Sequence, residues 1–191
     1  METYGQSLGG NEGQAAHRPF LADMKEIQRR ARQHIEEGAV TSGYSADRET
    51  VLKVLNEVLA TEIICTLRYK RHYFMAAGIQ SEAIAAEFNE HALDEQQHAD
   101  WVARRIVQLD GEPDFSPEGL HTRSHVAYMQ GTDLDDMIRE NLIAERVAID
   151  TYRAFIEYLK DNDPTTRRIM EKILEMEEEH AEDMAGLWKK S

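Results

Sequence analysis

Residues 55–69 read LNEVLATEIICTLRY and residues 138–153 read IRENLIAERVAIDTYR, and laying one on the other decides the fold. Glu57, Leu59, Glu62 and Tyr69 fall on Glu140, Leu142, Glu145 and Tyr152. A second pair of segments repeats in the same order, DEQQHAD at 94–100 and MEEEHAE at 176–182. Each holds a Glu-x-x-His turn, Glu95 with His98 and Glu177 with His180, placed 33 residues after Glu62 in one case and 32 after Glu145 in the other. Two like units of this length predict two helical hairpins related by a pseudo-twofold axis.

Start and stop chemistry outlines four long helices around these segments. Helix A is predicted from about Asp47 to Ala77, before Gly78, and helix B from a Ser81 cap to about Asp110, before Gly111 and Pro113. Helix C is predicted to begin at Thr132, with Asp135 completing a capping-box variant, and to end at Asp161-Asn162-Asp163. Helix D follows with Asp163 as cap and Pro164 in the first turn, where a missing N–H costs nothing, and ends near Gly186. Short A–B and C–D connections make those pairs antiparallel, while residues 111–131 are long enough to run the length of the bundle. That crossover is predicted to be extended or to hold a short helix around His125–Gln130. The fold class is therefore all-α, a four-helix bundle with one long B–C crossover.

Upstream, residues 1–17 are polar and glycine-rich, an arm too poor in apolar groups to order itself. Phe20, Leu21, Met24 and Ile27 then keep helical spacing up to Gly38 in a stretch carrying Arg18, Lys25, Arg29, Arg30 and Arg32. The chain thus divides into an arm and short helix over 1–46 and a bundle over 47–191.

Alternating steps of four and three pick out a core-facing seam on each long helix. On A it is Leu55, Leu59, Glu62, Thr66, Tyr69 and Tyr73, and on B it is Ile84, Phe88, His91, Glu95, His98 and Val102. On C it is Ile138, Leu142, Glu145, Ile149, Tyr152 and Ile156; on D it is Met170, Ile173, Glu177, His180, Met184 and Leu187. Every seam carries a glutamate at mid-height. Four carboxylates buried together lose hydration and repel, at several kcal/mol per ion, so they call for raised pKa values or for cations. Two divalent ions balance four carboxylates, and glutamate oxygens with histidine nitrogens suit iron or manganese. A third Glu-x-x-His, Glu118 with His121, sits among Pro117 and Gly119 in the crossover and reads as accidental.

These motifs resemble the ferritin-like di-iron carboxylate proteins, in which each helix pair supplies one Glu and one Glu-x-x-His. Within them, LNEVLATEIICTLRYKRHYF (55–74) and ALDEQQHADWVARRIVQLDGEP (92–113) look like bacterioferritin, over roughly residues 47–188. The resemblance implies that Glu62 with His98 terminates one iron, Glu145 with His180 the other, and that Glu95 and Glu177 bridge them. It implies a role beside the site for Tyr69, as electron or hydrogen-bond donor. It also implies a ferroxidase that oxidises Fe(II) with O₂ or H₂O₂ and stores Fe(III) in an oligomeric shell. Two departures modify this expectation. Gln96 occupies the place of the family's haem-binding methionine, so no haem is expected; and about ten residues follow His180 where bacterioferritin continues into a fifth helix. The chain is thereby similar to twelve-subunit, Dps-like mini-ferritins with an intrasubunit site. Dps proteins build their site across a dimer and often carry a lysine-rich arm; neither is seen here, so no DNA binding is expected.

Simpler readings apply to the remaining polar residues. Asp94 and Glu90 read as exposed helix acids, with relay of iron inward as the alternative, His91 as a satisfied core histidine, Cys65 as a small buried hydrophobe, and Trp101 and Trp188 as packing or interface residues. The balance of 22 Lys+Arg against 36 Asp+Glu, a net charge of −14, argues against nucleic acid or anionic lipid held by bulk charge. One cysteine excludes an internal disulfide and a Cys₄ zinc site, which suits a cytosolic protein. No apolar run approaches the ~18 residues of a membrane span. The competing function is a di-iron or di-manganese enzyme that stores nothing, such as a rubrerythrin-like peroxidase.

Overall fold

The computed structural model describes residues 23–76 and 81–189. Among them the elements are all helical: α1 (Met24–Arg30), a 3₁₀ turn (Ile35–Glu37), α2 (Arg48–Met75), α3 (Ser81–Gln108), α4 (Leu120–Arg123), α5 (Leu134–Leu159) and α6 (Pro164–Trp188). Helices A, B, C and D are α2, α3, α5 and α6. The arm at 1–17, Phe20, Leu21 and the predicted stop at Ala77 and Gly78 lie outside the described residues.

Hairpin α2–α3 packs on hairpin α5–α6, with α2 against α5 and α3 against α6. Leu55, Leu59, Val102, Ile106, Phe155, Leu159, Met170 and Ile173 fill one apolar cluster. Tyr69, Phe88, Met137, Ile138 and Met184 fill another, nearer the opposite end. Each large aliphatic side chain buried here contributes about 1.5–3 kcal/mol. The glutamate layer lies between the two clusters.

The crossover runs along α2 and is tied to it at successive levels. Asp114 N donates to Asn56 Oδ1 at 2.8 Å, His125 N donates to Thr61 Oγ1 at 2.9 Å, and His72 Nε2 meets the Met129 and Gln130 carbonyls at 3.1 Å. Its short helix is at Leu120–Arg123, not at His125–Gln130: Gly119 takes a left-handed φ of 70° and starts the turn early, and Val126 is then buried in a bend beyond it. Gly131 closes the crossover at φ 68°, where a Cβ would come within 2.5 Å of Met137 Cγ.

Several boundaries shift from the sequence expectation. Asp133, not Thr132, caps α5: its carboxylate accepts from Asp136 N at 2.9 Å, while Asp136 reaches back to Thr132 N at 3.0 Å. Helix α6 keeps Asp163 and Pro164 in their predicted places but runs through Gly186 to Trp188. The segment before Gly38 is two short pieces rather than one helix, because His34 adopts φ 50° between them. On α5 the seam is Asn141 and Phe155 where strict four-three counting placed Leu142 and Ile156, which are half-buried. A straight helix drifts against a 3.5-residue repeat, so the count slips by one residue away from Glu145.

Candidate metal centre

Glu62 and His98 come from the first hairpin, where α2 and α3 bring them together at mid-height; α5 and α6 do the same for Glu145 and His180. All six predicted residues, these four together with Glu95 and Glu177, are buried. Donor atoms of Glu62, Glu95, His98 and Glu177 converge within 4.8 Å of one another, and so do those of Glu95, Glu145, Glu177 and His180. Glu95 and Glu177 belong to both groups. Glu118 and His121 are exposed on the crossover and join neither.

Distances resolve the roles each atom can take. His98 Nδ1 lies 3.0 Å from Glu177 Oε1, 3.2 Å from Glu62 Oε2 and 3.5 Å from Glu95 Oε2. His180 Nδ1 lies 3.8 Å from Glu177 Oε2 and 3.9 Å from Glu95 Oε1. Both histidines thus turn Nδ1 inward. Tyr69 OH donates to Glu145 Oε1, and Tyr152 OH donates to Glu62 Oε1. Each tyrosine sits two turns beyond its own helix's glutamate and secures the glutamate of the other hairpin. Tyr152 was legible as the repeat partner of Tyr69, although the resemblance singled out only Tyr69.

What remains unpaired is informative. Both carboxylate oxygens of Glu95, both of Glu177, Glu145 Oε2 and His180 Nδ1 are buried without a hydrogen-bond partner. Orphaned buried acceptors are rare and costly, at about 1–3 kcal/mol each and more when charged. Burial, with Glu177 and Glu62 alongside, pushes the Glu95 carboxyl well above the usual range. Burial and Glu177 push Glu145 the same way. Burial also acts to raise Glu177, but contacts from His180, His98 and Glu145 outweigh it and hold Glu177 below the usual range. Burial would discharge His98, yet Glu177, Glu62 and Glu95 together keep it protonated. The metal-free layer therefore stores protons among carboxylates that two divalent cations would satisfy by displacing them. Oxygen and imidazole donors in this number fit first-row cations.

Three buried polar residues near Glu145 escaped the sequence reading. Arg68 is fully buried; its Nη2 lies 4.0 Å from Glu145 Oε1 and 3.6 Å from Cys65 Sγ, and its Nε donates to Asn141 Oδ1 at 2.8 Å. Asn141 Nδ2 in turn meets His72 Nδ1 at 3.0 Å. Burial, then Arg68, lower His72 to about 4, so the ring is neutral and bridges Asn141 to the crossover carbonyls. Arg68 follows Cys65 by one helical turn, a cation the sequence reading did not pair with it; burial still dominates and holds the thiol up.

Asp94 is not a freely solvated acid: its Oδ2 lies 3.5 Å from His180 Nε2. Glu90 is exposed, as expected. His91 is buried, with Nδ1 3.2 Å from Tyr69 OH and its ring stacked on His180 at a centroid distance of 3.9 Å. On the other side, His98 Nε2 meets Met176 Sδ at 3.3 Å, and the Trp101 ring lies 5.5 Å away, with Lys172 Nζ above it. Gln96 is exposed and donates to Asp100. Among the described residues no helix is long and apolar enough to cross a membrane.

Comparison with known proteins places this geometry. A bacterioferritin of Desulfovibrio desulfuricans is 30% identical over 142 residues, covering 73% of this chain and 75% of the relative. The solved structure of a Desulfovibrio desulfuricans bacterioferritin, described with its di-iron site in different catalytic states, superposes with a TM-score of 0.66 at 26% identity, covering 74% of this chain and 80% of that one. The bacterioferritin-related protein of Bacteroides fragilis, a dodecameric thioferritin, superposes with a TM-score of 0.74 at 28% identity, covering 76% of this chain and 88% of the other. The ferritin-like domain family matches residues 52–190, and the chain belongs to that family.

Proposed function

We propose that the protein is a ferroxidase that takes Fe(II) as its substrate at the centre of the bundle and passes Fe(III) to storage in a shell. The six side chains divide as Glu62 with His98 on one ion, Glu145 with His180 on the other, and Glu95 with Glu177 between them. The observation that carries this reading is the set of buried oxygens on Glu95 and Glu177 that make no well-formed hydrogen bond and have only the two histidines and neighbouring carboxylates around them. Two Fe(II) ions held together supply two electrons to one O₂ or H₂O₂, which avoids one-electron products. Manganese is the other metal that the donor set accepts.

The remaining side chains prepare the site. Tyr69 and Tyr152 fix one oxygen of Glu145 and of Glu62 and so aim the other at metal. Asp94 Oδ2 lies 3.5 Å from His180 Nε2, on the side of the ring away from the cluster, and so favours the orientation that turns Nδ1 inward. Arg68 keeps one fixed positive charge beside Glu145 whether or not metal is present. The apolar clusters above and below exclude bulk water, so the charges act in a medium of low dielectric. Similarity to a dodecameric thioferritin supports a twelve-subunit shell. The single, buried cysteine supports a cytoplasmic setting.

Aerobic titration of metal-free protein with Fe(II) tests this. A fast ferric absorbance phase saturating at two irons per chain, followed by retention of far more soluble iron, is expected. Glu95→Ala and Glu177→Ala should each abolish the fast phase while the helical signal persists. Retention that stops at the fast-phase iron makes the protein a non-storing di-metal enzyme; undiminished rates in both variants overturn the bridging assignment.

A further inference from the structure

A third group of donors lies beside the central cluster and takes no part in the reading above. His91 Nε2 faces Glu87 Oε1 at 3.4 Å and Asp183 Oδ2 at 3.7 Å, and one donor atom from each of the three lies within 4.8 Å of the others. Glu87 and His91 are one turn apart on α3; Asp183 comes from α6. The His91 side chain is 3% exposed, that of Glu87 34% and that of Asp183 52%, so the group opens to solvent on its carboxylate side.

Hydrogen-bond accounting makes this more than two surface acids near a ring. The single proton of Tyr69 goes to Glu145 Oε1, so the phenol oxygen accepts at its other contact, His91 Nδ1. A neutral imidazole that donates from Nδ1 carries a lone pair at Nε2. That lone pair then points at two carboxylate oxygens. Crowding of these groups already shows on Glu87, whose carboxyl is pushed above its usual range by burial and then by Asp183, and a cation set among the three in place of a shared proton satisfies all of them at once.

We propose that Glu87, His91 and Asp183 form a third divalent-metal site at the surface of the bundle, taking a first-row cation such as Fe(II) or Mn(II) through one imidazole nitrogen and two carboxylate oxygens. Water completes its coordination, as the exposure of Asp183 allows. The site goes beyond the central pair and needs none of its six ligands. It is nonetheless joined to them, because His91 contacts His180 by stacking and Glu145 through Tyr69. A cation on Nε2 withdraws charge from the ring, strengthens the Nδ1–H donor and tightens the bond to Tyr69. The position is one from which an ion can be held before passing inward.

Equilibrium dialysis of the metal-free shell against submillimolar Mn(II), with bound metal counted per chain, tests the proposal in three proteins: wild type, Glu87→Gln/Asp183→Asn, and Glu62→Gln/Glu145→Gln. The outer double variant alters only part-exposed side chains, and circular dichroism checks that it is folded. The expected result is one ion fewer per chain in the outer variant than in wild type, with an ion that survives in the central variant. Pulsed EPR of that surviving Mn(II) should show coupling to one imidazole nitrogen, lost in a further His91→Gln change. Equal counts in wild type and outer variant overturn the outer site and leave the ferroxidase reading standing. A wild-type count that falls only with the outer variant, and not with the central one, supports the outer site and overturns the central reading. No bound ion in wild type overturns both.

Discussion

The two hairpins bring the same ligands to the centre and surround them differently. On α3 the residue before the Glu-x-x-His glutamate is Asp94, and it faces His180; on α6 the residue in that place is Met176, and it faces His98. Four positions before the same glutamate stand His91 on α3 and Ile173 on α6, and three after the histidine stand Trp101 and Asp183. Arg68, six after Glu62, is a buried cation, while Thr151, six after Glu145, turns its hydroxyl to the Val147 carbonyl at 2.9 Å. One subsite is therefore lined by thioether and indole, the other by carboxylates, imidazole and guanidinium. The pseudo-twofold axis governs the six central side chains and stops there, so two ions bound to these like donors would meet unlike surroundings.

The most damaging way to erase the difference is Arg68→Met. It leaves Glu145 and Asn141 without their buried partner, and a loss of about 3–5 kcal/mol is expected, read as a large drop in the melting temperature of the metal-free protein. Bound metal should offset much of that loss, since it neutralises Glu145 in the guanidinium's stead. An equal drop with and without metal would mean that Arg68 acts by packing alone.

Next in size is Asp94→Asn. It should weaken binding of an ion at His180 by about ten- to a hundredfold while an ion at His98 holds its affinity, so that the two binding events separate. Met176→Leu, at the equivalent place, should leave both affinities within about twofold, because a thioether is a weak acceptor. Calorimetric Mn(II) titrations check both, and a like response from the two variants would remove the asymmetry.

Tyr69→Phe and Tyr152→Phe then compare the crossed hydrogen bonds. Each leaves a buried carboxylate oxygen unpaired at on the order of 1–2 kcal/mol in metal-free protein, with Tyr69→Phe the larger because His91 also loses its partner. Thermal melts of the two variants side by side give the ranking.

The smallest effect concerns the seam between hairpins at the far end. The Asp163 carboxylate accepts from Arg105 Nη2 at 2.9 Å, from Thr166 N at 2.9 Å and from Tyr44 OH at 2.9 Å. Burial tends to raise its pKa, but Thr166 and Arg105 prevail and hold it below the ordinary value. A depressed pKa stabilises the fold above the unfolded value of about 3.9 and is lost as pH falls through the folded value. Asp163→Asn should thus cost about 1 kcal/mol at neutral pH, a cost that shrinks as pH falls below about 3.9, as followed by melting temperature against pH.

Much of this was legible in the chain itself. The repeat of Glu62 and Tyr69 in Glu145 and Tyr152, and the two Glu-x-x-His turns, give the hairpins and the six converging side chains, because helical period alone puts them on one face. Asp163 and Pro164 mark their helix start by local chemistry. Arg68, Asn141 and His72 were not legible, since a buried polar residue on a helix looks like a solvated one until its partner on another helix is known. Asp94 was misjudged for the same reason. The place of the crossover helix turned on the φ of Gly119, and the slip on α5 on the drift between 3.5 and 3.6 residues per turn.

The exchanged tyrosine bonds have a consequence for vectorial synthesis. Hairpin α2–α3 leaves the ribosome first, carrying Glu62, Glu95 and His98, but the phenol that steadies Glu62 is on α5 and Glu177 is on α6. A nascent first hairpin can offer only an unsteadied fragment of the donor set, and Tyr69 lacks its Glu145 carboxylate and Arg68 its Asn141 and Glu145 partners until α5 arrives. Metal capture at the proposed centre would thereby be deferred to the completed chain, so that a half-made subunit would neither scavenge the wrong cation nor hold a reactive one.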